Sequence, residues 1–305
     1  MVPFRFGVQL KSASSATQFS ALLRRIEEAG FDFVSLPDHL DVQLSPMVAL
    51  GFAAGVTSSL GVASLVLNAD LRHPVEIARE ANTLAHLAPG RCALGLGAGW
   101  DPNDYLQLGR AFESAGTRIT RFEESLEIIT TLFATGHCDH EGPSYRIENA
   151  SLPYPDERPE LWIGGGGSKL LRLATRYADV VGINPRLSGG SRSNELISEL
   201  SPEAFEGKVE IVREEAERVG RIPELQCRTE FVYVGEDFAS MVAALAPGFG
   251  IAPELVYDMP PVLVGTADLV AETLVSRRER FGVSNWVIHE DQVDLFVPVL
   301  ERVRA

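Results

Sequence analysis

The chain has 305 residues, 45% of them hydrophobic, and a formal net charge of −15. That acid surplus argues against nucleic acid and anionic membrane as partners, because both are bound through local positive charge. No apolar run reaches the roughly 18 residues of a membrane span, and no biased polar tract reads as disordered.

Phe4–Leu10 is a short apolar run of β character, and the opening MVPFRFGVQLK lacks the long apolar stretch of a signal peptide. Phe19, Leu22, Leu23, Ile26 and Ala29 then recur on one helical face, and Gly30 stops that helix. Phe31–Pro37 is the second strand. Ser45 followed by Pro46 opens a helix with proline in its first turn. Leu60–Asn68 reads as the third strand, His73–Gly90 as a helix bounded by prolines, and Arg91–Gly97 as the fourth strand.

From about Gly116 a helix carries Ile119, Phe122, Leu126, Ile129 and Phe133 on one face. PSYRIENA is a short extended excursion. Glu160–Gly164 is the fifth strand, Ser168–Tyr177 a helix, and Ala178–Asn184 the sixth strand. Ser201 and Pro202 start the next helix. Leu225–Gly235 reads as the seventh strand, Thr266–Val283 as a helix, Ser284–Glu290 as the eighth strand, and Val293–Val303 as the last helix.

Strand–helix alternation favours a parallel sheet, and eight units in this length favour an α/β fold of the closed (β/α)8 TIM-barrel type over an open doubly wound sheet. With no linker in sight, residues 1–305 are expected to form one domain. Four long connections, 98–115, 136–160, 185–200 and 235–265, are expected at the C-terminal face of the barrel. An active site would lie there, at the strand ends. The candidates are Gln9, Pro37–His39, Val66–Asn68, Gly97–Trp100, Gly164–Ser168 and Asn184–Arg186.

Gly164, Gly165, Gly166 and Gly167 let backbone N–H groups approach an anion, and the helix opened by Ser168 aims its positive end at the same place. Lys169, Arg172, Arg176 and Arg186 would add positive charge nearby. GLGAGW is not the G-x-G-x-x-G dinucleotide fingerprint; glycines at this strand end suggest a flat ligand close to the backbone. His39 is placed to move protons, with Asp38 as its orienting partner or a direct ligand contact. His73 reads as a helix cap. His137 and His140 beside Cys138, Asp139 and Glu141 match no standard cluster, so no metal is expected. Cys92, Cys138 and Cys227 form no CxxC pair and read as free thiols of a cytoplasmic protein.

PDHL, LVLNADLRHPVEIAREANTLAHLAPGRCALGLGAGW, TRITRFEESLEIITTLF, ELWIGGGGSKLLRLATRYAD and PPVLVGTADLVAETL together resemble the luciferase-like monooxygenase superfamily. Within it, the chain is most similar to the coenzyme F420-dependent oxidoreductases. The resemblance implies a bacterial-luciferase-like barrel with a deazaflavin ring across the strand ends and its phosphate on Gly164–Ser168. It puts His39 and Asp38 beside the ring and implies a non-prolyl cis peptide at Leu65–Val66. Asn68, Gly97, Ala98 and Gly99 would flank the ring or its side chain, with Gln9 and Trp100 in the substrate pocket. Asp70 stands where many relatives have proline. The implied reaction is hydride transfer between deazaflavin C5 and a small organic substrate. The alternatives are an FMN-dependent monooxygenase using reduced flavin and oxygen, and a flavin-binding barrel without catalysis. The resemblance also allows a homodimer, with the apolar helix Met47–Val56 as the candidate interface.

Overall fold

Apolar runs too short for helices line up as eight parallel strands in the structure, a computed structural model that describes residues 2–41, 43–186 and 195–304. They are β1 (Arg5–Gln9), β2 (Phe33–Leu36), β3 (Gly61–Ser64), β4 (Cys92–Gly97), β5 (Glu160–Gly165), β6 (Val180–Ile183), β7 (Glu224–Arg228) and β8 (Val283–His289). Each pairs with the next, and β8 returns to β1 in a register from Arg5 opposite Asn285 to Gln9 opposite His289. The ring is therefore closed, as the alternation predicts.

Its lumen is packed. Phe33 on β2 meets Trp162 on β5 edge-on, ring centroids 4.9 Å apart. These strands are not neighbours, so the contact crosses the barrel, and Ala63, Ala93, Val180 and Val287 complete that buried cluster. The main core lies between the strands and the helices outside them, where Leu23, Ile26, Phe122, Leu126, Leu171 and Phe296 are buried. Four of the helices start at side-chain caps: Ser15, Ser114, Ser201 and Thr266 each accept a hydrogen bond from a first-turn N–H. His73 caps its helix as expected, accepting from the Val75 N–H at 3.3 Å.

Three expectations change. The run Leu60–Asn68 is not one strand: after β3 the chain breaks at Leu65–Val66 and resumes as the two-residue strand Leu67–Asn68 on β4. The run Leu225–Gly235 also divides. Its second half, Phe231–Val234, leaves the barrel and pairs in parallel with Val262–Gly265. The connection 235–265 is thus largely built of helices, Phe238–Phe249 and Pro253–Asp258, around a small core of Val242, Val256, Met259 and Val262.

The third concerns 136–160. It joins the end of helix Ala115–Thr135 to the start of β5, so it springs from the N-terminal end of the barrel, not the C-terminal face. It folds into an antiparallel hairpin, His137–Glu141 with Arg146–Ser151. Buried Glu124 ties the hairpin down, accepting from the Ser144 and Tyr145 N–H groups at 3.0 and 2.9 Å and pairing with His140. In the 185–200 connection, residues 187–194 lie outside the described residues.

Candidate functional site

The C-terminal strand ends bring most of the predicted residues together. Just past β2, the buried Asp38 carboxylate faces the segment that follows β3, not His39. It accepts from the Asn68 N–H at 2.8 Å and from both terminal nitrogens of Arg72, one of them at 2.8 Å. His39 instead holds a partner 65 residues away: its Nδ1 lies 2.8 Å from Oδ2 of Asp104. The other Asp104 oxygen accepts the Leu40 N–H at 2.9 Å. Trp100 meets the His39 ring edge-on with centroids 5.3 Å apart. The expected Asp38–His39 pairing is therefore replaced by Asp104–His39. Asp104 sits in a helix of the β4 connection, Pro102–Gln107, whose cap Asp101 accepts the Asn103 N–H. The sequence signal was available in WDPND, a capping aspartate followed by Pro and a second acid in the first turn.

The Leu65–Val66 peptide is cis, as the resemblance implied. Gln9, at the end of β1, donates from Nε2 to the Leu65 carbonyl at 3.1 Å and so ties β1 to this break. The break also accounts for GLGAG. A Cβ on Gly97 would lie 2.8 Å from Val66 Cγ2, and one on Gly95 would strike the Ser64 carbonyl. Gly99 has φ +73° and packs against the Asn68 amide and the Tyr105 hydroxyl. Ala98 between them is buried. The glycines read as room for a flat ligand are required by the protein's own β3 end.

The glycine run divides in the same way. A Cβ on Gly164 would meet the Asn184 amide at 2.8 Å, and one on Gly165 the Leu170 side chain at 2.7 Å. On Gly166 it would lie 2.6 Å from three backbone atoms of Asn184, Pro185 and Arg186. Only at Gly167 would it meet nothing within 4 Å. Gly167 caps the helix Ser168–Tyr177, and no side chain fills the cap. Among the described residues no side chain takes up the first N–H groups of that helix, an arrangement suited to an anion.

Two of the four side chains of the expected basic rim are taken up by acids. Arg172 pairs with Glu214, and Arg176 with Glu215 and Glu123. Lys169 donates to the Thr120 hydroxyl at 3.2 Å, and the Arg186 N–H to Glu199.

At the ends of β7 and β8, Arg228 and His289 were not anticipated. Burial above all, then Arg228 and Lys11, pushes the His289 imidazole down to about 4, so it is neutral at pH 7 and accepts from Arg228 at 3.1 Å. Asp70, behind Asn68, is also buried. It accepts from Tyr105 at 2.8 Å and from Arg121 Nε at 2.7 Å. Burial first, and then the Asp70 carboxylate, raises the Tyr105 hydroxyl pKa.

Among the described residues, the one group of metal-type ligands is His39, Asp101 and Asp104, with ligand atoms within 4.8 Å of one another. The hydrogen bonds above already account for that closeness. The three cysteines are free and buried, and among the described residues no helix is long and apolar enough to cross a membrane. A cavity of about 570 Å³ lies at the opposite end of the barrel, beside Arg5, Phe33, Cys92 and Glu160. Two pairs of its charges meet, Arg5 with Glu160 and Arg158 with Asp179, and none of the predicted site residues lines it.

Comparison with known proteins places this geometry. Residues 1–249 match the family model described as luciferase-like monooxygenase. An F420-dependent glucose-6-phosphate dehydrogenase of Microbacterium testaceum is 31% identical over 191 residues, 58% of this chain and 56% of that protein. The chain thus spans little more than half the length of that relative. A 5,10-methylenetetrahydromethanopterin reductase of Methanopyrus kandleri is 23% identical, covering 97% of this chain and 85% of that one. Among solved structures, an F420-dependent secondary alcohol dehydrogenase in complex with an F420-acetone adduct superposes with a TM-score of 0.79 at 18% identity, covering 100% of both chains. The monooxygenase RslO1 of Streptomyces bottropensis superposes at 0.74 with 20% identity, covering 99% of this chain and 100% of that one. Matched over most of its length by the family model, the chain belongs to the luciferase-like monooxygenase family.

Proposed function

We propose that this protein is a coenzyme F420-dependent oxidoreductase acting on a small organic substrate. The observation that carries the reading is the uncapped start of the helix Ser168–Tyr177, open at Gly167, on the same barrel face as His39. The N–H groups there suit the cofactor's phosphate, and the chain break after β3, tied to β1 by Gln9, suits the back of a flat ring. The names of the relatives support F420 as that cofactor.

When bound, F420 supplies a hydride donor or acceptor at C5 of its deazaflavin ring. The chain's own part is to hold phosphate and ring, orient the substrate, and hold or move a proton at His39. Asp38 acts through the fold: by gripping Arg72 and the Asn68 N–H it fixes the segment after β3 on which the ring would lie. Trp100, edge-on to His39, lines the substrate side.

The test is titration of the purified protein with F420 and with FMN, followed by cofactor fluorescence. Saturable F420 binding is expected. FMN binding without F420 binding would overturn the reading in favour of an FMN-dependent monooxygenase. Binding of F420 with no redox turnover on a panel of small alcohols, ketones, aldehydes and unsaturated compounds would favour a non-catalytic barrel. We further propose a homodimer through helix Pro46–Val56, which carries no charged residue and exposes Val48 and Phe52. We take the free cysteines as support for a cytoplasmic site of action.

A further inference from the structure

We propose that Asp104 is the positioning residue that sets the tautomer of His39, keeping the proton on Nδ1 and leaving Nε2 free to accept one. Two other aspartates, the sequence neighbour Asp38 and Asp101, whose carboxylate lies within 4.8 Å in the same group, are committed elsewhere. Asp38 is taken by Arg72 and the Asn68 N–H. Asp101 caps the helix Pro102–Gln107 through the Asn103 N–H at 2.9 Å. Asp104 alone meets the ring, with Oδ2 at 2.8 Å from Nδ1.

An ionised carboxylate can only accept, so the shared hydrogen belongs to Nδ1. The carboxylate cannot turn away, because its other oxygen holds the Leu40 N–H at 2.9 Å. The residue is 3% exposed, so water does not compete for it. Trp100, standing at 82° to the imidazole, fixes the plane of the ring. The neutral imidazole therefore carries its lone pair on Nε2. That is the nitrogen from which a substrate proton is taken, or to which it is returned, as His39 cycles between neutral and charged forms. The catalytic consequence rests on the proposed function; the tautomer itself does not.

The experiment is a two-dimensional ¹H–¹⁵N spectrum of the imidazoles in protein labelled with ¹⁵N-histidine, without cofactor or substrate. The six histidines are few enough to assign, His39 by its loss in His39→Gln. The wild type is expected to show His39 as the Nδ1–H tautomer. Asp104→Asn should move it to Nε2–H. The amide oxygen must face the Leu40 N–H, so the amide NH₂ faces Nδ1 and donates to it. Asp104→Glu should restore the wild-type pattern, and Asp101→Asn should leave it unchanged.

A wild-type His39 in the Nε2–H form would overturn the proposal without recourse to any variant, as would an unshifted spectrum in Asp104→Asn. In turnover, Asp104→Asn is expected to lose about 10²–10⁴-fold, the usual range for proton-transfer catalysis, with F420 affinity unchanged. Failure of the protein to bind F420 would remove the functional reading and leave the tautomer result standing.

Discussion

The glycine run makes opposite demands at adjacent positions, and Gly166→Ala against Gly167→Ala separates them. At Gly166 the added methyl lies 2.6 Å from the Asn184 oxygen, the Pro185 carbonyl carbon and the Arg186 nitrogen. All three are backbone atoms, which cannot rotate aside as a side chain can. Overpacking of this kind costs about 1–3 kcal/mol, and rigid neighbours put this site in the upper half, about 2–3 kcal/mol. For a chain of this size each kcal/mol lowers the melting temperature by about 2 °C, so a fall of about 4–6 °C is expected. At Gly167 the methyl meets nothing within 4 Å, and the residue's φ of −90° suits alanine. Stability should change by less than about 0.5 kcal/mol. The methyl occupies the space proposed for the phosphate, so the F420 dissociation constant should rise about tenfold, ~1.4 kcal/mol. Thermal unfolding by circular dichroism and F420 fluorescence titration read the two effects. A Gly166→Ala protein that melts with the wild type would refute the crowding argument. Unchanged F420 affinity in Gly167→Ala would move the phosphate elsewhere.

Other outcomes follow from the same contacts. His39→Ala should cut turnover by about 10²-fold or more on the best substrate of the panel while F420 affinity stays within about twofold; equal activity would remove His39 from the chemistry. Asp38→Ala strips Arg72 and the Asn68 N–H of their shared partner and should cost about 2–4 kcal/mol in urea unfolding, less than a fully buried pair because Arg72 is partly exposed. A shift of the midpoint within error would show that the pair is not holding the β3 end. The Glu215 carboxyl is held down to about 2, mainly by hydrogen bonds from Arg218 and, beyond the opposing cost of burial, from Arg176. Its folded pKa lies below the unfolded one, so its contribution is complete above about pH 4.5 and is lost as pH falls towards about 2. Acid titration of Glu215→Gln should show a shallower loss of stability across that window, and an unchanged slope would mean the cluster contributes nothing.

The barrel was legible in the sequence because its signals are local. Phe19, Leu23 and Ile26 repeat on one helical face, Ser15 and Ser201 cap helices a few residues away, and short apolar runs alternate with them. The ends of those runs then supplied the candidate site residues, among them His39, Gln9 and the glycines. What remained hidden depends on which segment a residue meets after the ring closes. The apolar run Leu225–Gly235 carries no mark of where it leaves the barrel; Thr229 bonds the Val287 carbonyl, and the next residues pair with Val262–Gly265 instead. Asp38 is the sequence neighbour of His39 but faces Asn68 beyond β3, while Asp104 reaches the imidazole from the connection after β4. The four glycines look alike in the sequence, yet three are crowded by Asn184, Leu170 and the backbone of 184–186, and one opens to solvent. Periodicity and capping are decided within a turn or two of the chain, so the sequence alone determines them. Partner choice and free space are decided by distant segments brought together at the barrel mouth, and only the tertiary structure contains them.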